Sequence, residues 1–230
     1  MEAIVLAGGM GERMGDATQG RPKSLISVGG LPLVAWQIGR LQRAGVDRVI
    51  VSCATGQEPY FEADLVGLGV EIVCAAEPER LGRGGAIRFA STFRRDTGAV
   101  LAMNGDELVD VDFTALLERH EATGAAATVT VAQPPSQFGQ VDLTEDDIVT
   151  AFHEVGRVPY WVNCGIYALS EEALARFPER GDHETTTFPE LASEGGLRAY
   201  RHTGLWLTVN TPKELRRADE HVTDHPEWLA

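Results

Sequence analysis

The sequence predicts an α/β fold in which a mixed, mainly parallel sheet is flanked by helices. Short apolar runs that do not alternate with polar residues, beginning at residues 3–7, have the length and flanks of buried parallel strands. Helical patterns alternate with these runs across short connections, which is typical of an open parallel sheet. Because the sequence contains no repeat, low-complexity tract or linker, we expect a single domain over residues 1–230.

In the first half of the chain, the predicted strands and helices alternate regularly. Pro32 suits the start of a helix because its φ is already fixed near the helical value, and Gly45 suits the end of that helix. The predicted strands cover 3–7, 46–52, 70–74 and 99–103, and the predicted helices cover 33–44, 55–66 and the stretch from the 77–87 loop to residue 93.

In the second half, strands and helices are predicted with less regular spacing. Asp110 and Asp112 are interpreted as acidic residues at the N-terminus of a helix. Thr185, Thr186 and Thr187 are expected to cap another. The predicted elements are a helix over 113–120, strands over 124–131, 160–169 and 202–209, a hairpin-like region from 137, and helices over 171–177, 190–194 and 213–221.

The composition is that of an ordinary globular protein, with 43% hydrophobic and 23% charged residues. No apolar run approaches the length of a membrane span, and the first run is too short for a signal peptide. Cys53, Cys74 and Cys164 are far apart and odd in number, which indicates buried thiols and neither a zinc site nor a disulfide framework. We therefore expect a cytoplasmic protein.

The net charge of −14 argues against general nucleic-acid binding and against an anionic membrane surface as a partner. A phosphate ligand is still compatible with this charge. The local charge of a cleft matters more than the total, and a divalent cation offsets the charge of bound phosphates.

The loop after the first strand has the features of a triphosphate-binding loop. Glycines let the backbone approach a ligand, and successive backbone N–H groups form a nest for anions. Basic side chains add full charges that can meet phosphate oxygens. The glycines and basic residues of this loop and of the segment after it are Gly8, Gly9, Gly11, Arg13, Gly15, Arg21 and Lys23.

Two commoner glycine motifs are excluded by the residues themselves. The dinucleotide fingerprint G-x-G-x-x-G fails because Met14 stands where its third glycine is required. The P-loop requires Gly before Lys-Ser/Thr, but Pro22 precedes Lys23 and Ser24. A nicotinamide-dependent oxidoreductase is disfavoured by the broken fingerprint.

Two further segments follow predicted strands and are expected at the same edge of the sheet. In open α/β sheets, ligands bind outside the carboxyl ends of the strands. The 77–87 loop follows the third strand, and Asp106 follows the fourth within Asn-Gly-Asp. A carboxylate in that position is well placed to hold Mg²⁺, which typically takes one or two carboxylates and completes its shell with phosphate oxygens.

These segments resemble the nucleotidyltransferases that join an NTP to a sugar 1-phosphate. The first loop reads L-A-G-G-x-G-x-R-M followed by P-K-x-L, the 77–87 loop is similar to the L-G-T-G-G-A-I loop of sugar-phosphate guanylyltransferases, and 160–169 is similar to a W-V-N-x-G-I-Y strand of the family. The resemblance covers residues 1 to about 221. It implies a Rossmann-like nucleotide-diphospho-sugar transferase fold, with a nucleotide-binding part over 1–130 and a sugar-phosphate-binding part over 131–221.

The resemblance also implies roles for individual residues. Arg13 and Lys23 are the implied catalytic cations, Asp106 and Asn210 the implied metal ligands, and Mg²⁺ the implied cofactor. The implied nucleotide-binding residues are Leu6, Ala7, Gly8, Gly9, Gly11, Arg13, Glu77, Gly82, Gly84 and Gly85. The implied substrate-binding residues are Gly139, Glu154, Asn163 and Gly165. A homodimer is compatible with this assignment.

The chain departs from the family pattern at three positions. Arg83 stands where Thr is usual, and Val155 replaces the Lys that often follows the Glu in line with Glu154, with Arg157 nearby as a candidate substitute. Thr208 stands where many relatives carry a metal-binding Asp.

Two interpretations of Asn210 follow from these departures. Other relatives carry a ligating Asp or Asn in line with Asn210, whose amide oxygen is a hard, neutral ligand. Alternatively, Asn210 caps the helix that begins near Pro212.

The predicted reaction is transfer of a nucleotidyl group from an NTP to a sugar 1-phosphate with release of pyrophosphate. The glycine-rich 77–87 loop and the short chain look most like the mannose and heptose 1-phosphate guanylyltransferases, so GTP is the expected NTP. The alternatives are a cyclitol phosphate or another phosphomonoester as acceptor, and a homologue that binds nucleotide without turning it over. The expected partners are the NTP and the sugar 1-phosphate, with no nucleic acid and no membrane.

Overall fold

A computed structural model describes residues 1–9, 11, 14, 18, 20–136, 138–154, 156–225 and 228 of the chain. The strands of this part are β1 Glu2–Leu6, β2 Ser27–Val28, β3 Leu31–Pro32, β4 Arg48–Ala54, β5 Glu71–Glu77, β6 Val100–Asn104, β7 Glu107–Val109, β8 Ala127–Ala132, β9 Gln140–Leu143, β10 Val149–His153, β11 Val162–Leu169, β12 Leu197–Arg201 and β13 Trp206–Thr208.

The helices lie between these strands as the sequence periodicity predicts. A short 3₁₀ helix, Lys23–Leu25, follows the glycine loop. The α-helices are α1 Leu33–Arg43, α2 Glu58–Asp64, α3 Gly82–Ser91, α4 Phe113–Thr123, α5 Glu171–Arg176, α6 Thr187–Ser193 and α7 Pro212–Asp224. Asp112 caps α4 as expected, because its side chain accepts a hydrogen bond from the backbone N–H of Ala115 at 2.9 Å.

The described residues form one central sheet of seven strands in the order β12-β8-β11-β6-β1-β4-β5. Strand β11 runs antiparallel to both of its neighbours, and every other pair in this sheet is parallel. The predicted mixed, mainly parallel sheet is therefore confirmed.

Helices cover both faces of the sheet because neighbouring strand residues point to opposite sides. On β1, Ala3 and Val5 belong to a core shared with helices α1, α2 and α4, whereas Ile4 belongs to a core shared with α3, α5 and α6. All three side chains are fully buried. The strand is thus buried on both faces, as its continuous apolar run indicates.

The register of the antiparallel strand β11 places its beginning at the carboxyl edge of the parallel strands. Ile166 pairs with Met103 and Leu169 pairs with Val100. Residues 162–165 therefore lie beside the end of β6, where Asn104 stands. One edge of the sheet collects the ends of β1, β4, β5 and β6 and the start of β11.

Two predictions for the second half of the chain are wrong in detail. The strand expected over 202–209 is confirmed only as β13, Trp206–Thr208, which pairs with β7 in a separate ribbon. The strand that pairs with β8 in the central sheet is β12, Leu197–Arg201, which was not predicted. The helix expected over 190–194 begins at Thr187, and Thr186 at its N-cap position makes no side-chain capping bond.

The hairpin-like region is confirmed as the antiparallel pair β9–β10. Within the described part of the chain, no helix is long and apolar enough to cross a membrane.

Candidate active site

A cavity of about 780 Å³ opens at the carboxyl edge of the parallel strands. Its size is within the range of small-molecule sites, and its position is where open α/β sheets bind ligands. Lining residues come from the glycine loop, the ends of β4, β5 and β6, the start of α3 and the end of the β13 segment. They are Leu6, Ala7, Gly8, Gly9, Gly11, Lys23, Ser24, Ser52, Ala54, Thr55, Glu77, Pro78, Glu79, Arg80, Gly82, Arg83, Ala86, Asn104, Asp106 and Asn210.

Lys23 lies on the wall of this cavity between the two residues predicted as metal ligands. Its ammonium Nζ donates to Asp106 Oδ2 at 2.6 Å and to Asn210 Oδ1 at 2.7 Å. The Lys23 side chain is 8% exposed, whereas that of Asp106 is 36% exposed. Three residues far apart in sequence thus form one charged cluster, which we call the Lys23 cluster.

The glycine loop holds Lys23 in this position. The backbone N–H of Lys23 donates to Gly9 O at 2.9 Å, so the loop folds back on the start of the 3₁₀ helix. Gly11 has a φ of +66°, and a Cβ there would lie 2.9 Å from Lys23 Cβ. A side chain at position 11 would therefore be strained and would push Lys23 away.

Asn210 does not cap the helix that follows it. Thr211 is the N-cap of α7, and its side chain accepts from the backbone N–H of Glu214. Glu214 in turn accepts from the Asn210 backbone N–H at 2.8 Å, which leaves the Asn210 amide oxygen directed at Lys23. Thr208 instead donates to Glu214 at 3.4 Å. The capping interpretation of Asn210 is therefore wrong.

Glu107 is a buried carboxylate beside Asp106 and is not among the predicted site residues. Trp206 Nε1 donates to Glu107 Oε2 at 3.1 Å, and Asn104 Nδ2 lies 3.5 Å from its other oxygen. Burial raises the pKa of Glu107 to about 8, and the neighbouring Asp106 charge contributes in the same direction. The sequence shows that Glu107 follows Asn-Gly-Asp, but the burial of its side chain is evident only from the structure.

Glu77 lines the cavity at the end of β5 and also orders the loop after it. One carboxylate oxygen accepts from Ser52 Oγ at 2.8 Å, and the other accepts from the Leu81 backbone N–H at 3.2 Å. A carboxylate oxygen has two acceptor positions, so Glu77 retains capacity for a ligand donor.

Of the three glycines predicted in the 77–87 loop, Gly82 lines the cavity but Gly84 and Gly85 do not. Their backbone N–H groups donate to Gly181 O at 3.0 and 3.3 Å. A Cβ on Gly84 would lie 2.7 Å from the His183 backbone nitrogen. These glycines therefore permit close packing of the chain around residue 181 on α3, and the donors at that helix N-terminus are engaged within the protein.

The residues predicted to bind the sugar do not line the cavity. Asn163 is half-buried, and its amide bonds to Tyr167, Glu184 and Gly165. Gly139 and Glu154 flank the β9–β10 hairpin and are exposed.

Arg157, the candidate substitute for the missing lysine, donates from Nη1 to Gln133 O at 2.6 Å and is not among the cavity residues. Arg13, Gly15 and Val155 lie outside the described residues.

The sequence matches the family model for nucleotidyl transferases over residues 2–225. The chain belongs to this nucleotidyl transferase family. The predicted family resemblance is thereby confirmed. Enzymes of the family generally use divalent metal ions.

Named relatives agree with this membership. The chain is 32% identical over 230 residues to the mannose-1-phosphate guanylyltransferase of Mycobacterium tuberculosis, covering 94% of this chain and 63% of that protein. It is 30% identical over 225 residues to the probable mannose-1-phosphate guanylyltransferase 1 of Oryza sativa subsp. japonica, covering 93% and 62%. The chain thus spans less than two thirds of the length of these curated relatives.

A solved structure has the same fold. The crystal structure of HddC from Yersinia pseudotuberculosis matches with a TM-score of 0.75 at 22% identity, covering 96% of this chain and 98% of that one. The nucleotidyl transferase fold of this chain, with its mixed seven-stranded sheet, is confirmed by that match.

Proposed function

We propose that this chain transfers a nucleotidyl group from GTP to a mannose- or heptose-like sugar 1-phosphate and releases pyrophosphate. The observation that carries the proposal is the Lys23 cluster on the wall of a cavity beside a glycine loop. Two relatives at 32% and 30% identity are named mannose-1-phosphate guanylyltransferases, which supports the choice of reaction.

The proposed chemistry needs no nucleophile from the protein, because the acceptor phosphate is already an anion. A phosphate oxygen of the sugar 1-phosphate attacks the α-phosphorus of the NTP. The bond from that phosphorus to the bridging oxygen breaks, and pyrophosphate leaves with the electron pair. The protein must position two polyanions and stabilise the charge that develops between them. Lys23 suits this task, and we assign Arg13 to the same task from its place in the motif.

The Lys23 cluster fits a divalent cation of the kind the family uses. Asp106 and Asn210 present hard oxygens that already surround one cation, the Lys23 ammonium. We assign both residues as ligands of Mg²⁺, which is the divalent ion suited to one or two carboxylate or amide oxygens plus phosphate oxygens. When bound, the metal would neutralise triphosphate charge. With Asp106 and Asn210 bound to the metal, the Lys23 ammonium would be free to contact a phosphate.

Glu77 supports GTP as the nucleotide. Guanine presents two adjacent donors, N1–H and the N2 amino group, whereas a carboxylate is acceptor-only. Glu77 lines the cavity on the side of the 77–87 loop. Its acceptor capacity matches guanine better than adenine, whose N1 is itself an acceptor.

The division of labour along the chain is also a proposal. Residues 1–130 supply the glycine loop, Lys23, Glu77 and Asp106, and we assign them to the nucleotide. Residues 131–221 would serve the acceptor, with Asn210 returning to the nucleotide side. The homodimer stays a prediction.

A matrix of NTPs against sugar 1-phosphates and a cyclitol phosphate, with Mg²⁺ and read by pyrophosphate release, tests the proposal. We expect release with GTP and a mannose- or heptose-type acceptor. Pyrophosphate release only with a cyclitol phosphate would show that the acceptor is a cyclitol phosphate and not a sugar 1-phosphate. Nucleotide binding without pyrophosphate release in every combination would contradict the proposed enzymatic activity. Glu77→Gln should lower the ratio of kcat/KM for GTP to that for ATP if Glu77 recognises the base.

A further inference from the structure

Arg83 is the side chain through which helix α3 holds residues 181–184, the segment between α5 and α6. Its Nε donates to Asp182 Oδ2 at 2.8 Å, and Nη2 reaches the same oxygen. Its Nη1 and Nη2 lie 2.9 Å from the two oxygens of Glu184. A planar guanidinium can bind two carboxylates in this forked way, and an ammonium cannot.

Glu184 carries this constraint into strand β11. Its Oε1 accepts from Asn163 Nδ2 at 2.8 Å and from the Tyr167 hydroxyl at 3.0 Å, in addition to Arg83. Both β11 residues lie on the side of the strand that faces the 181–184 segment. Arg83 thus connects α3, in the part of the chain assigned to the nucleotide (1–130), to β11, in the part assigned to the acceptor (131–221).

The connection continues from β11 to the cavity. Asn163 Oδ1 accepts from the Gly165 backbone N–H at 2.8 Å. Gly165 has a φ of +66°, and a Cβ there would collide with the Asn104 side-chain amide. Asn104 lines the cavity and stands two residues before Asp106. Gly165 thus packs closely against Asn104, and through this continuous series of contacts a shift at Arg83 would be transmitted to the cavity edge.

The charges of this cluster argue against two simpler roles for Arg83. One positive charge faces two carboxylates, so the cluster is net negative and would repel a phosphate rather than bind it. Asp182, His183 and Glu184 have ligand atoms close enough to hold a metal ion. However, Arg83 already occupies both carboxylates, and the His183 ring is stacked on Phe177 at 4.8 Å.

We propose that Arg83 is a positioning residue that sets the acceptor side of the cavity relative to the nucleotide side. The inference rests on the proposed function for its kinetic consequence. Arg83 itself is 46% exposed, and its partners Asp182 and Glu184 are 29% and 26% exposed. Removing the guanidinium would leave the two carboxylates to repel each other and would loosen Glu184, the acceptor for Asn163 and Tyr167.

Misplacement of an acceptor by about an ångström costs rate without abolishing nucleotide binding. Arg83→Ala should therefore lower kcat/KM for the sugar 1-phosphate by about tenfold or more. Arg83 also lines the cavity, but its guanidinium is engaged by Asp182 and Glu184. The dissociation constant for GTP with Mg²⁺, measured by calorimetry, should therefore stay within about twofold, since Lys23, Glu77 and Asp106 are untouched. Arg83→Lys should recover only part of the loss, since one ammonium cannot engage both carboxylates.

Arg88→Ala is the matched control. Arg88 lies on the same helix and also bonds the chain after α5, with Nη1 donating to Phe177 O at 2.6 Å, but it makes no bond to Asp182 or Glu184 among those the structure describes. Hydrogen exchange supplies a readout that does not depend on turnover. Arg83→Ala should speed amide exchange at 162–165 and 182–187, and Arg88→Ala should leave 162–165 unchanged.

Three results would overturn the proposal. They are a folded Arg83→Ala chain with unchanged acceptor kinetics, an equal loss of GTP affinity and acceptor kcat/KM, and unchanged exchange at 162–165. If the wild-type chain releases no pyrophosphate across the matrix, the proposed function fails separately. The exchange comparison of Arg83→Ala with Arg88→Ala then decides whether the Arg83 link exists.

Discussion

The glycine-loop edge of the sheet and the β9–β10 hairpin are built in opposite ways. At the edge, Lys23 is buried and bonded to both Asp106 and Asn210. In and beside the hairpin, apolar side chains face outward: Phe138 is 79% exposed and Phe152 is 70% exposed. A two-stranded ribbon of this kind has little stability of its own.

This difference indicates where each kind of substitution acts. The edge of the sheet gathers the proposed metal ligands and the Lys23 ammonium in one place before a ligand arrives, so substitutions there act on the groups proposed to stabilise the developing charge. The hairpin contributes no described residue to the cavity. Changes at the edge should therefore reduce catalysis, whereas changes beside the hairpin should alter acceptor affinity at most.

Lys23→Ala should give the largest effect. Losing a charge that stabilises the transition state lowers kcat/KM roughly a hundredfold or more, about 3 kcal/mol. The sequence contains one other lysine, Lys213, which is exposed on α7 and provides a matched control as Lys213→Ala. Steady-state kinetics with thermal unfolding as a fold check would measure the effect. Unchanged turnover in a folded Lys23→Ala chain would remove Lys23 from the catalytic machinery.

His183 should make the packing of the 181–184 segment against β11, α5 and α6, outside both regions, sensitive to acid. The side chain is fully buried among aromatic rings, and neither ring nitrogen has a hydrogen-bond partner among the described residues. Burial lowers its pKa from 6.5 to about 4. Below pH 6.5 the His183 imidazole binds a proton in the unfolded chain but stays neutral in the folded chain, so the free energy of unfolding falls as the pH is lowered. The loss from this group approaches about 3 kcal/mol near pH 4.

Urea unfolding of wild type and His183→Phe between pH 7.5 and 4.5 would measure this contribution as the difference in slope. Phenylalanine suits the site because His183 already stacks on Phe177 at 4.8 Å and meets Phe188 edge-on at 4.7 Å. His183→Leu serves as a second variant. Parallel pH slopes in all three proteins would show that folding does not lower the pKa of His183, contrary to our expectation.

Asn210 offers a smaller effect that refines the edge of the sheet. Asn210→Ala should raise the Mg²⁺ concentration needed for half-maximal activity on the order of tenfold, because one ligand oxygen is lost. Asn210→Asp should lower that concentration or leave it unchanged. Thr208→Val is the matched control, since Thr208 bonds Glu214 and not Lys23. An Mg²⁺ titration that is the same for Asn210→Ala and wild type would contradict the ligand role.

Arg157 should give the smallest effect. Its guanidinium is exposed and donates to Gln133 O, so it has no described route to the cavity. Arg157→Ala should change the acceptor KM by less than about threefold, or ~0.6 kcal/mol. A tenfold rise in that KM would show instead that Arg157 supplies the phosphate contact of the missing lysine.

The features that could be predicted from the sequence are those that depend on the pattern of neighbouring residues. Continuous apolar runs marked β1, β4, β5 and β6, and the rule that ligands meet the strand ends placed Lys23, Glu77 and Asp106 at one edge. Strand β12 was not predicted because it is an exposed edge strand in which Arg198 and Arg201 interrupt the run of apolar residues.

Other features depend on contacts between distant residues. Lys23 meets partners 83 and 187 residues away in sequence. Gly84 and Gly85 were assigned to a nucleotide, but the chain around Gly181 occupies their N–H groups. A glycine-rich helix start has the same sequence whether a ligand or another part of the chain packs on it, so this distinction requires the tertiary structure.

The place of β11 between β6 and β8 has a consequence for biosynthesis. During translation, β6 emerges with one edge unpaired, and β8 emerges without any neighbour in the central sheet. Both edges stay unpaired until residues 162–169 are synthesised, and the pairings of that strand are non-local and therefore slow to form. A nascent chain released before that point would expose an open strand edge, which favours aggregation and recruits chaperones.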